Sequence, residues 1–87
     1  MTLSETFKAL ADLTRRKVLE LLKKRSMSAG EIADNFSMTL PSLTHHFNLL
    51  KQAYLISQER QGQQIIYSLN LSVIEELMES YFKLFKK

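Results

Sequence analysis

His45 and His46 are adjacent, and they are the only histidines in an 87-residue chain that has no cysteine. Neighbours on a helix point about 100° apart. The pair is therefore poorly placed to ligate one metal ion from a single helix, where useful spacings are i, i+4. With no cysteine and no further histidine in the chain, no metal site and no cofactor are expected. Catalytic patterns are missing as well: there is no glycine-rich phosphate loop, no G-x-S-x-G elbow and no H-E-x-x-H. Glu75, Glu76 and Glu79 stand beside lysine on a helical stretch that reads as a solvated face, so enzyme activity is not expected.

The residues around the histidines offer hydrogen bonding instead. On a helix starting near Leu40, the apolar Leu40, Leu43, Phe47 and Leu50 share one face, with Leu49 on its flank. Ser42, Thr44, His45, Asn48, Lys51 and Gln52 lie on the other. Short or planar polar groups near a helix N-terminus are suited to base edges in the major groove, and the helix dipole there attracts phosphate. Thr39, Ser42, Thr44 and His45 are the best placed; His46 is expected at the edge of the core with one ring nitrogen satisfied. A second polar group, Arg60, Gln61, Gly62, Gln63 and Gln64, has the size and single charge to lie along a nucleic-acid backbone or enter a minor groove. On the helix alone, an ordinary solvated face is the commoner explanation; the elements around it reverse that preference.

Those elements follow from sparse punctuation, two glycines and one proline. Leu3, Phe7, Leu10 and Ala11 repeat at helical spacing. Asp12 or Thr14 can cap a second helix, with Val18, Leu19, Leu21 and Leu22 on its apolar side and Lys23, Lys24 and Arg25 in its last turn. Ser28-Ala29-Gly30-Glu31 is a capping box that opens a third helix through Ile32, Ala33 and Phe36. Thr39 can cap a fourth that reaches about Ala53, with Pro41 tolerated in its first turn. Residues 55–60 and 64–69 are β-prone runs around Gln61-Gly62-Gln63, a hairpin. Ser72-Val73-Ile74-Glu75 reads as a second capping box for a last helix with apolar residues at 74, 77, 78, 81, 82 and 85. A helix-turn-helix followed by a two-stranded wing is a winged-helix arrangement, mainly α, in one domain spanning residues 1–87.

Charge and size agree with that architecture. The net charge is only +3, but residues 1–26 hold Lys8, Arg15, Arg16, Lys17, Lys23, Lys24 and Arg25 against Glu5, Asp12 and Glu20. A basic face of this kind suits phosphate. No stretch approaches the roughly 20 apolar residues of a membrane span, and acidic Glu5 stands where a signal peptide carries positive charge, so a cytoplasmic location is expected. For a chain of this size folding buries only about 64% of the unfolded surface. With 45% hydrophobic residues, there are more apolar helix faces than one small core absorbs. A homodimer is expected, with Leu3, Phe7 and Leu10 packed against Ile74, Leu77, Met78, Tyr81 and Phe85 of both copies.

Phe7 to Leu19, Ser28 to Phe36, Leu43 to Ala53 and the wing together resemble the ArsR/SmtB family of bacterial winged-helix repressors, in order across about residues 5–75. Within that family the resemblance is strongest to metal-independent autorepressors of the type that regulates a sporulation-delaying toxin immunity operon. It implies a homodimer joined through the first and last helices, DNA contact by Thr39 to His45, and autoregulation. Three positions depart from the family pattern: Leu13 stands where proline is usual, Phe47 where leucine is usual, and Tyr54 where glycine is usual. The first two are apolar exchanges. A glycine at the third often takes a left-handed conformation that tyrosine accepts only at a cost.

The function expected is therefore sequence-specific binding of double-stranded DNA at an inverted repeat, with repression of transcription. The alternative is a winged-helix module that binds protein through the same helix and ignores DNA. Without a metal or thiol sensor, three routes to release stay open: a small apolar ligand, sequestration by a membrane protein, or changing concentration.

Overall fold

The first helix, α1 (Leu3–Leu10), and the second, α2 (Leu13–Lys24), are both present where the apolar spacing and the cap place them. The computed structural model describes residues 3–86, with side chains from residue 4 onward. Asp12 is the N-cap of α2 and its carboxylate accepts from the Arg15 amide at 3.0 Å. That bond holds the Asp12 carboxyl below its ordinary pKa, so the cap is a charged acceptor at neutral pH. Lys23 and Lys24 occupy the last turn of α2, where the dipole favours them.

Ser28 ends a two-residue strand, β1 (Met27–Ser28), and caps α3 (Ala29–Ala33). Both bonds of the predicted capping box are present: Glu31 N donates to Ser28 Oγ at 3.1 Å, and Ser28 N donates to Glu31 Oε1 at 3.0 Å. The third helix is shorter than its apolar pattern implies. Beyond Ala33 the amides of Asn35 and Phe36 reach back only three residues, to Ile32 and Ala33, both at 3.0 Å, and the chain tightens out of the α geometry. Phe36 stays half-buried under the Lys17 ammonium, 4.9 Å from its ring centre.

Thr39 caps α4 (Leu40–Gln52), accepting from the Ser42 amide at 3.4 Å, and Pro41 sits in the first turn. Leu43, Phe47 and Leu50 are fully buried, whereas Leu40, expected on the same face, is half exposed because it precedes the turn at which α4 meets the core. The helix ends in a Schellman arrangement: Tyr54 N donates to Lys51 O at 2.9 Å and Leu55 N to Leu50 O at 3.0 Å. Tyr54 takes the left-handed position of that motif at φ 58°, confirming the strained turn expected where the family has glycine. Left-handed backbone costs a non-glycine residue about 1–2 kcal/mol. Glycine returns part of that gain as unfolded-state entropy, and the Tyr54 side chain is mostly exposed. Tyr54→Gly should therefore stabilise the fold by about 0.5–1 kcal/mol in urea denaturation; a loss of stability would mean that the ring contributes more than the backbone conformation costs.

The wing is β2 (Ile56–Gln61) and β3 (Gln64–Leu69), antiparallel from Ile56↔Leu69 to Gln61↔Gln64. Its turn is Gly62-Gln63 alone, one residue tighter than expected, because Gln61 is already paired. Gly62 has φ 63°, the conformation that two-residue hairpin turns demand and glycine supplies freely. The sheet has three strands rather than two, in the order β1-β3-β2, with Met27 opposite Tyr67. Tyr67 is thereby buried, its ring 4.6 Å from that of Phe47.

The last helix, α5 (Leu71–Phe85), corrects the second capping box. Asn70, not Ser72, is the N-cap position, and it makes no side-chain capping bond. Its amide N donates to Leu55 O and its Nδ2 to Tyr54 O, both at 3.0 Å. These bonds pin the chain at Asn70, so the helix starts at once and Ser72 is already inside it. The core gathers Val18 and Leu22 of α2, Ile32 of α3, the buried face of α4, Leu55, Ile56, Tyr67 and, from α5, Leu77.

Candidate nucleic-acid interface

The polar positions predicted on α4 face outward except Lys51, which is half-buried. Thr39, Pro41, Ser42, Thr44, His45 and Asn48 are exposed, while Leu43, Phe47 and Leu50 behind them are closed off from solvent. A rigid core thus backs one exposed turn, the Thr39-capped N-terminus of α4, with no acidic side chain in its first turn. Thr39 Oγ1 donates to Ser42 Oγ at 3.1 Å, leaving the Ser42 hydroxyl proton directed elsewhere. In geometry and charge the turn can accept an anion and present donors and acceptors to base edges.

In the wing, Arg60, Gln61 and Gln63 are exposed, and Arg60 Nε donates to Gly62 O at 3.1 Å, tying the one cation of the tip to its own turn. Lys51, read as part of the polar face, reaches Gln58 Oε1 at 2.9 Å and joins the last turn of α4 to β2. Gln58 was not singled out in the sequence; nothing in a polar strand position marks it as a brace.

The basic first third is largely spent on internal bonds. Arg15 is only 9% exposed, Arg16 Nη1 donates to Leu10 O at 2.6 Å, Lys17 Nζ donates to Asn35 O, and Arg25 pairs with Glu31 at 2.8 Å. The expected basic face is therefore narrower than its composition implies. His46 stands at the core edge as expected, with Nδ1 3.1 Å from Arg15 Nη1, and His45 stands out in solvent. Among the described residues no group of three or more His, Asp or Glu is placed to hold a metal ion.

The residues expected at a dimer face divide. Leu3 opens α1, but its side chain lies outside the described residues. Phe7 is exposed on one side and stacks on Tyr81 on the other, ring centres 4.8 Å apart and nearly parallel. Leu10, Ile74 and Tyr81 are half-buried, Met78 is exposed and Phe85 is 85% exposed. Leu77 is only 6% exposed in a single chain, because it fills the protomer core. Phe82, apolar at helical spacing but not among the residues expected at the dimer face, is 68% exposed.

A family described as a helix-turn-helix domain matches residues 10–59. The transcriptional repressor SdpR of Bacillus subtilis (strain 168) is 51% identical over 74 residues, covering 85% of this chain and 82% of the relative. A solved ArsR family transcriptional regulator superposes with a TM-score of 0.79 at 30% identity, covering 95% of this chain and 89% of that one. The chain belongs to the ArsR family. An arsenical resistance operon repressor of Staphylococcus aureus is more distant, at 27% identity over 78 residues, covering 90% of this chain and 75% of the relative. A helix-turn-helix spanning α3 and α4 with a wing behind it is what the spacing of caps and apolar positions predicted, and the ArsR family is what the resemblance implied.

Proposed function

We propose that this ArsR-family protein represses transcription by binding an inverted-repeat operator as a homodimer, with its own operon among its targets. DNA-binding repression is the function its family and relatives support. The observation that carries the mode of reading is the exposed, uncharged N-terminal turn of α4, held on a buried core beside a polar hairpin. The turn enters the major groove, with Thr39, Pro41, Ser42, Thr44, His45 and Asn48 against base edges and phosphates, and Arg60, Gln61 and Gln63 follow the flanking backbone. Residues 1–87 act as one winged-helix unit in the cytoplasm.

Dimerisation through α1 and α5 is supported by three features of the single chain. Its accessible surface is 6136 Å², against about 5,300 Å² for a compact monomer of this mass. Met78, Phe82 and Phe85 are exposed along one side of α5. The Tyr81 hydroxyl is buried with no hydrogen-bond partner among the described residues, which leaves it for an acceptor on a second copy. As a route to release, a small apolar ligand is supported by a cavity of about 90 Å³ among Leu10, Leu19, Ile74 and Tyr81. Sequestration by a membrane protein and changing concentration are the alternatives; no described helix is itself long and apolar enough to cross a membrane.

A salt titration on specific and scrambled duplexes tests the reading. Ser42→Ala and His45→Ala should each cost about 1–3 kcal/mol on the preferred site and little on scrambled DNA. Arg60→Ala should weaken binding to all sequences alike and flatten the slope of log affinity against log salt by about one. Equal losses on both duplexes for Ser42→Ala and His45→Ala would remove α4 as the reader. Indifference of the wild type to DNA would favour a protein-binding module.

A further inference from the structure

Arg15 belongs to the first turn of α2, yet its guanidinium hydrogen-bonds two other helices. Nε donates to Ala9 O at 2.8 Å and Nη2 to Lys8 O at 2.9 Å, satisfying carbonyls at the C-terminal end of α1. Nη1 lies 3.1 Å from His46 Nδ1 in α4. A guanidinium has only donors, so His46 Nδ1 must be the acceptor and the ring proton belongs on Nε2. Asp12 Oδ1, 3.8 Å from the same Nδ1, faces the group from the N-cap of α2. Arg15 is all but closed off from solvent and each of its three nitrogens is engaged, so three of its five N–H groups are spent inside the protein and little of the guanidinium is open to phosphate.

We infer that Arg15 and His46 are positioning residues: the pair fixes the angle of α4 against α1 and thereby sets the half-site spacing that a dimer accepts. This rests on the DNA-reading dimer proposed above. The physical path is continuous. Phe7 of α1 stacks on Tyr81 of α5 at the proposed twofold face, the last carbonyls of α1 are held by Arg15, and Arg15 holds the helix that carries exposed His45. A planar fork with three fixed donors sets an angle, which an ammonium on a flexible stem does not. Loss of the acceptor leaves a mostly buried N–H unsatisfied and frees α4 to rock.

The test uses an inverted repeat selected from a random duplex library, the same repeat with two base pairs inserted between half-sites, and a scrambled duplex, each over a salt series with melting curves alongside. His46→Leu should lose about tenfold on the selected repeat and most of its preference over the lengthened one, with the salt slope unchanged. His46→Asn, whose side-chain oxygen takes the place of Nδ1, should recover both. Arg15→Lys keeps the charge, loses the fork and should lose spacing preference at constant slope; it carries the comparison alone if His46→Leu melts below the assay temperature. Wild-type spacing preference in His46→Leu or in Arg15→Lys overturns the inference, as does a salt slope that falls by one unit in an Arg15→Ala control. A wild type that does not prefer the repeat over scrambled DNA overturns the DNA-reading function as well.

Discussion

Phe82→Asp with Phe85→Asp should leave the protomer folded and lower its affinity for the inverted repeat by about 10²–10⁴-fold, the avidity lost when two linked half-sites are bound separately. These two side chains are chosen because they are 68% and 85% exposed, so a carboxylate there meets water in the single chain and is buried only by a partner. Leu77 is the wrong choice: at 6% exposure its replacement by Asp puts a charge into the protomer core and unfolds it, whatever the oligomeric state. Sedimentation velocity should show a monomer at concentrations where the wild type is a dimer, with an unchanged circular dichroism spectrum. A persistent dimer would place the interface on another face.

The second large effect is on stability. Phe47 is completely buried, in the middle of α4, with its ring against that of Tyr67 on the central strand. Phe47→Ala removes contacts that join the proposed reading helix to the sheet and leaves a cavity that helix and strand cannot both close, at a cost of about 3–5 kcal/mol. A domain of this size holds only about 4–13 kcal/mol in total. The urea midpoint should fall by roughly a quarter or more with an unchanged m-value. Phe47→Leu, the residue usual in the family, should cost much less because most of the volume is kept. Similar midpoints for the two variants would show that the ring does not hold α4 to the sheet.

What was legible in the sequence was chemistry that acts over a few residues. The Ser28–Glu31 box, the Thr39 cap and the outward period of Thr44, His45 and Asn48 each depend on neighbours three or four positions away, and each has the predicted form; the glycine turn of the wing is in its predicted place but one residue tighter. Distant partners decided the rest. Strand β1 is two residues long, too short to show alternation, and exists because β3 offers it an edge; Ser26 adds a 2.7 Å contact to Ser68 across 42 positions. The Ser72 box lost to bonds from Asn70 back to Leu55 and Tyr54. Arg15 counted as surface charge in the composition, and only the fold brings His46, 31 positions on, within its reach. Whether Leu77 belongs to a core or to an interface is likewise a matter of which faces remain uncovered after packing, which a helical period does not encode.

The strand order β1-β3-β2 leaves β2 at one margin of the sheet, with five of its six residues exposed. A free margin of this kind is a template on which another chain can add a strand, and a run of β-branched residues there would invite copies to stack edge to edge. Here the margin reads Ser57, Gln58, Glu59, Arg60 and Gln61, with opposite charges side by side and no aliphatic side chain. Composition that suits contact with a nucleic-acid backbone is also what keeps the hairpin from polymerising. Substitutions that make the wing greasier are thus constrained by solubility before any question of operator affinity arises.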